Sequence, residues 1–170
     1  MIPLVARLRL GTTSRPGTTS RLAVLLLAVV AFPRIAAGEE PRANYFNDPF
    51  EAVTQGIADC PVPQGPLLTR SEMQAQAHER AERGTRCYAE GYCRLPNAYD
   101  YDRDIVARVR KAIGYDGRFA QSSVWVLGQR RMVWLKGCVR AQADKAALER
   151  IARRVDDVEN VVNELVVRPR

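Results

Sequence analysis

The side chains best suited to covalent or metal chemistry are Cys60, Cys87, Cys93, Cys138 and the single histidine, His78. Two chemistries fit that set. Four cysteines can close two disulfides, or Cys60, His78, Cys87 and Cys93 can surround a zinc ion. Zinc sites are built from compact ligand pairs. Here eight residues separate His78 from Cys87 and five separate Cys87 from Cys93, and neither spacing makes such a pair. Disulfides are the preferred reading for all four cysteines. Three pairings exist, of which Cys87–Cys93 as a local clip and Cys60–Cys138 as a long staple are favoured. The Cys87/Cys93 spacing is not C-x-x-C, which disfavours a disulfide-exchange catalyst. His78 reads as an exposed residue on a polar helix.

The rest of the chain offers little catalytic material. One histidine, no Ser/His/Asp set and no glycine-rich phosphate loop argue against hydrolysis and nucleotide use. The carboxylate groups Asp156-Asp157 and Asp100/Asp102/Asp104 read as helix-end residues. The expectation is a non-enzymatic protein with no catalytic residue, no cofactor and no metal.

The formal charge of +7 suggests nucleic acid until it is divided along the chain. Residues 1–38 carry Arg7, Arg9, Arg15, Arg21 and Arg34 and no acid. Beyond them 21 basic side chains face 19 acidic ones, so most of the basicity belongs to the leader. Nucleic-acid binding would also need stacking aromatics among the basic groups, and none is expected. In the leader, a basic start is followed by the apolar run Leu22–Phe32, then Pro33 and the small residues Ala36-Ala37-Gly38. That order describes a secretory signal peptide cut after Ala37 or Gly38. Eleven apolar residues span only about 16 Å as a helix, against a hydrocarbon core of about 30 Å, so an uncleaved membrane anchor is the weaker reading. No cysteine directly follows the run, which disfavours a lipid anchor. Export implies the periplasm, where disulfides persist.

The elements that must position these residues fall into two blocks. Residues 39–99 are irregular, with CPVPQGP, NYFNDPF and Gly56, Gly65, Gly84 and Gly91. One helix is expected there, capped by Thr69 or Ser71 with Glu72 completing a capping box, and ended by Gly84. From Asp100 the pattern sharpens. Ile105, Val109, Ala112 and Ile113 mark one face of a helix that Gly114 stops. Residues 122–127 alternate as a strand, Gly128-Gln129-Arg130 turns, and residues 131–139 alternate again, as in a hairpin. Residues 141–156 form a second amphipathic helix and 158–167 a Val-rich strand. The fold class is α+β: a two-layer unit of order helix, strand, strand, helix, strand, its three-stranded mixed sheet carrying both helices on one face.

With Val124, Val126, Val133, Leu135 and Val139 toward the helices, alternation sends Trp125, Leu127, Met132, Trp134, Lys136 and Cys138 to the other face. So apolar a face needs a cover or a partner. Residues 39–99 are the expected cover, with Phe46, Phe50, Leu67, Leu68 and Met73 turned inward. The competing account leaves that face free.

The C-terminal block resembles the BON family, named for bacterial osmotic-stress and nodulation proteins. The resemblance rests on Asp102/Ile105/Val109/Ala112/Ile113, then Val124/Val126, then Val133/Leu135/Gly137/Val139, then Val158/Val161/Asn163/Leu165/Val167. Gly114, Trp125, Trp134 and Cys138 depart from the family pattern, and residues 39–99 resemble nothing we can name. The division is thus signal peptide 1–38, cysteine-containing extension 39–99 and BON-like domain 100–170. The resemblance implies an envelope protein without catalysis, in contact with phospholipid surfaces or other envelope proteins and supporting membrane integrity, often under stress. The family usually carries such units in pairs or beside another domain; one unit stands here.

Residues 100–170 hold 15 basic and 10 acidic side chains, and residues 39–99 hold 6 and 9. Arg103, Arg110, Lys111, Lys145, Arg150, Arg153 and Arg154 are expected on the outer sides of the two helices. The candidate interaction surface is Trp125, Trp134, Arg150, Arg153 and Arg154. The leading expectation is an interaction module for an envelope protein. The alternative is direct binding of anionic phospholipid, each basic group near such a surface being worth about 1 kcal/mol. The residues give no reading of oligomeric state.

Overall fold

The alternating runs after Ser122 do pair with each other, and a fourth strand from the extension joins them. The computed structural model describes residues 39–169; the proposed signal peptide lies outside the described residues. In chain order the elements are β1 (Phe50–Gln55), α1 (Arg70–Ala89), α2 (Asp102–Tyr115), β2 (Ser123–Gln129), β3 (Met132–Val139), α3 (Gln142–Arg153) and β4 (Asn160–Val167). Short 3₁₀ turns at Ala98–Tyr101 and Gly117–Gln121 flank α2.

The sheet runs β1-β2-β3-β4. β1 and β3 lie antiparallel to β2, and β4 lies parallel to β3. The class is α+β as expected, but the sheet has four strands, not three. The correction comes from FEAVTQ, which pairs Phe50 with Leu127 and Ala52 with Trp125. A bulge between Ala52 and Thr54 breaks its register, and six residues with an interrupted alternation are hard to distinguish from loop.

α2 and α3 pack on one face of the sheet. Ile105, Val109 and Ile113 from α2 and Leu148 and Ala152 from α3 meet Val124, Val126, Val133, Leu135, Val161 and Leu165 in a single core. Apart from Val161 and Leu165, these are the positions that periodicity assigns to the buried faces. Burying each such side chain contributes roughly 1.5–3 kcal/mol, so this core is the main source of stability.

Boundaries shift where glycine or turn chemistry is at issue. α1 starts on the full capping box: Thr69 Oγ1 accepts the Glu72 N–H, and the Glu72 carboxylate accepts the Thr69 N–H at 2.8 Å. It does not stop at Gly84 but continues to Ala89. Gly84 is buried against Asn97, where a Cβ would lie 2.5 Å from Oδ1, so this glycine permits a close approach and ends nothing. The hairpin turn is Arg130-Arg131, both with positive φ (53° and 63°), and Gly128-Gln129 belong to β2. Two consecutive left-handed residues make the tight turn whose twist matches a two-residue hairpin.

Candidate interaction surface and the covered face

The far side of the sheet is where the extension does its structural work. After β1 the chain crosses toward Cys138, and Ile57, Cys60, Trp125 and Cys138 form a second buried cluster with Phe50 and Ala52 against it. Trp125 is left 6% exposed. Ser123 fixes the crossing, its buried hydroxyl accepting the Ile57 N–H at 2.9 Å and donating to the Ile57 carbonyl at 3.2 Å. A disulfide joins Cys60 to Cys138, with the sulfurs 2.07 Å apart. Gly137 makes room beside it: its φ is +115°, and a Cβ there would sit 2.2 Å from the Ser123 carbonyl.

Trp125 is therefore buried and withdrawn from any binding surface, while Trp134 is half-buried. The residues that meet Trp125 are not all those expected. Phe50 does; Phe46 lies over the Arg80 guanidinium, Leu68 pairs its backbone with Ala43, Met73 is half-buried on α1 outside that cluster, and Leu67 remains exposed. Ile57 and Cys60 take their place, because the segment that leaves β1 reaches the sheet before α1 does.

Cys87 and Cys93 are also paired, at 2.11 Å, in a small buried cluster with Ala98. The zinc alternative does not assemble. Cys60 sits with Trp125, Cys87 and Cys93 sit together elsewhere, and His78 is exposed on α1 beside Glu82.

Two buried aspartates tie the extension and α2 to the β2–β3 turn, and sequence reasoning passes over both roles. Asp48 is paired with Arg80 from α1 and accepts from Gln129 Nε2 at 2.5 Å. The Arg80 guanidinium lies between the rings of Phe46 and Tyr99, 4.3 and 3.7 Å from their centroids. Asp102, at the start of α2, accepts the backbone N–H groups of Arg130 and Arg131 at 2.6 and 2.7 Å. Burial outweighs those bonds and pushes its carboxyl up to about 7. The turn-rich NYFNDPF hints at a buried Asp48, since an Asp before Pro suits a turn. Nothing distinguishes Arg80 from the other arginines of α1.

The outer helical surface is basic and uneven. Arg153 is engaged with Glu149, Asn160 and the Val161 carbonyl, so it acts within the fold. Arg110 pairs with Glu51, and Arg108 with Asp104 and Asp157. Among the described residues, Arg103, Lys111, Arg150 and Arg154 meet no carboxylate within ion-pair distance. Arg150 and Arg154 line a shallow groove with Ala147, Ile151 and Arg118. Tyr115, at the end of α2, is 92% exposed beside Lys111.

Side chains cap part of the β4 edge of the sheet. The Val161 N–H donates to Asn160 Oδ1 and its carbonyl accepts from Arg153; the Leu165 N–H donates to Asn163 Oδ1 and its carbonyl accepts from Lys145 Nζ at 2.8 Å. Asn163 Nδ2 in turn donates to the Lys145 carbonyl at 2.9 Å and to Glu149. An added strand would have to displace these bonds.

No helix among the described residues is long and apolar enough to cross a membrane. Residues 101–169 match the BON domain family model. No curated protein and no solved structure matches the chain.

Proposed function

From the BON domain at residues 101–169, we propose that this is an exported, non-catalytic envelope protein that supports envelope integrity by binding another envelope protein. The family match carries this reading, since a BON domain is an envelope-associated module. We place the partner surface on the outer side of α2 and α3, a choice supported by the cover over Trp125 and by the capped backbone groups of Val161 and Leu165 on the β4 edge. A photo-crosslinker placed at Arg154 or Lys111 of the full chain, in intact cells, tests it. The reading expects a discrete protein adduct at these positions and none from a crosslinker at His78, on the exposed side of α1.

The second reading is attachment to anionic phospholipid through the same helices. Arg150, Arg154 and Lys111, which meet no carboxylate within ion-pair distance among the described residues, and the exposed Tyr115 ring favour it, since aromatic and basic side chains suit a membrane interface. Flotation with vesicles containing an anionic lipid, compared with neutral vesicles, separates the two. Salt-sensitive flotation with anionic vesicles alone, without a protein adduct in cells, supports lipid and overturns the protein-partner reading.

A further inference from the structure

We propose that the Cys87–Cys93 disulfide is a redox-sensitive clip, opened by thiol attack on Cys87 with Cys93 leaving as a thiolate held by Arg131. The inference stands apart from the reading of the helical surface. It makes this chain a substrate of thiol–disulfide exchange and not a catalyst of it.

The two sulfurs of the clip sit in opposite electrostatic surroundings. Arg131 Nη1 lies 3.0 Å from Cys93 Sγ. Arg131 Nε is bound to the Asp157 carbonyl at 2.9 Å, and among the described residues no carboxylate pairs with this guanidinium. A fixed cation at that distance stabilises a departing thiolate. Cys87 lies in the last turn of α1, at the end of the helix whose carbonyls carry partial negative charge, and that disfavours a thiolate there. Exchange is faster when the departing sulfur is the more acidic thiol. The arrangement therefore selects Cys93 as leaving group and Cys87 as the sulfur attacked.

The two disulfides also differ in what must move to open them. Cys60–Cys138 lies in the cluster with Ile57 and Trp125, and Cys60 itself belongs to the crossing segment, so opening this disulfide disturbs the sheet's cover. Among the described residues, only Ala98 joins Cys87 and Cys93 in their buried cluster, and each cysteine is under a tenth exposed. The loop between them carries Tyr88 and Tyr92, both largely exposed.

The step balances with a dithiol as reductant. Its thiolate attacks Cys87 Sγ, the Cys87–Cys93 bond breaks, and the bonding pair leaves on Cys93 Sγ. The reductant's second thiolate then attacks its own sulfur in the mixed disulfide and releases Cys87 as a thiolate. Two electrons reduce the clip, and the dithiol becomes a disulfide.

The test treats the full oxidised chain with dithiothreitol without denaturant, quenches with N-ethylmaleimide at intervals, and maps the labelled cysteines by peptide mass. Cys87 and Cys93 are expected to be labelled while Cys60 and Cys138 remain bonded. Glutathione in place of dithiothreitol is expected to leave its adduct on Cys87. The Arg131→Gln chain should open about tenfold more slowly, and Arg131→Lys should recover part of the rate. Simultaneous opening of both disulfides in the unaltered chain, an adduct on Cys93, or an unchanged rate in Arg131→Gln would each overturn the proposal. If Arg131→Gln proves misfolded by its circular dichroism, the adduct position and the order of opening in the unaltered chain decide.

Discussion

Asp102 holds Arg131 by its backbone: the buried carboxylate at the head of α2 accepts the Arg131 N–H at 2.7 Å, one residue after accepting that of Arg130. This single side chain satisfies both N–H groups of a turn whose two residues have positive φ, and so fixes the hairpin against the helix. Asp102 stands first in the family pattern as the acid that opens a helix. The structure adds a second task that its position in the sequence does not reveal.

The pH dependence of stability follows from that burial. Asp102 titrates near 7 in the folded protein, raised from 3.8, so between these values the folded state holds a proton that the unfolded chain has released. Its contribution is complete below about pH 4 and is lost progressively as pH rises toward 7, after which it stays flat. Glu149 is shifted downward by the Asn163 amide and Arg153, and Asp157, against the cost of its burial, by Arg94 and Arg108; both act in the opposite sense, losing stability as pH falls below the ordinary carboxylate range. Urea unfolding from pH 5 to 8 is expected to show stability declining with pH. In Asp102→Asn that decline should flatten.

Arg80→Ala is expected to cost about 3–5 kcal/mol, the usual penalty for leaving one member of a buried ion pair alone. The Asp48 carboxyl would keep only its bond from Gln129. Denaturant midpoints for Arg80→Ala, Asp48→Ala and the double variant form the check, and the double variant should lose much less than the two single losses combined.

Replacing both Cys60 and Cys138 by Ala removes the staple that closes a 78-residue separation. A loss of about 2–4 kcal/mol is expected, read as a lower melting temperature, with secondary structure retained at low temperature. An unchanged melting temperature would mean that the Ile57 crossing holds the far face without the covalent link.

Asn163→Ala opens the β4 edge, since Asn163 bonds both the Leu165 N–H and the Lys145 carbonyl. The expected outcome is a loss of about 1–2 kcal/mol and a rise in self-association at high concentration, measured by sedimentation. A monomer as stable as the parent would show that Arg153 and Lys145 suffice to guard the edge.

Whether a feature of this fold is legible in the sequence depends on whether its role is local. The faces of α2 and α3 repeat at helical spacing, and Val124, Val126, Val133 and Leu135 alternate, so periodicity alone marks out the C-terminal core. The Thr69/Glu72 box is likewise a local signal. β1 is not legible, because Phe50 and Ala52 acquire a partner only when β2 is already in place and the bulge disrupts the alternation. The Gly84 contact with Asn97, the Arg80 sandwich and the Asp102 turn clamp join residues distant in sequence, and each side chain alone has an ordinary surface explanation. The apolar surplus around Trp125 announces that something must cover it. It does not say that Ile57 and Cys60 are the cover.

Residues N-terminal to the family match cover Trp125, and the outer side of α2 and α3 is the proposed interaction surface. In Trp134→Phe, Trp125 is the sole tryptophan of the chain, so its fluorescence reports this face alone. The account predicts a blue-shifted emission maximum with weak acrylamide quenching for that variant, and a red-shifted, readily quenched signal once residues 39–99 are removed. Emission of a water-exposed indole from Trp134→Phe with residues 39–99 intact would contradict it.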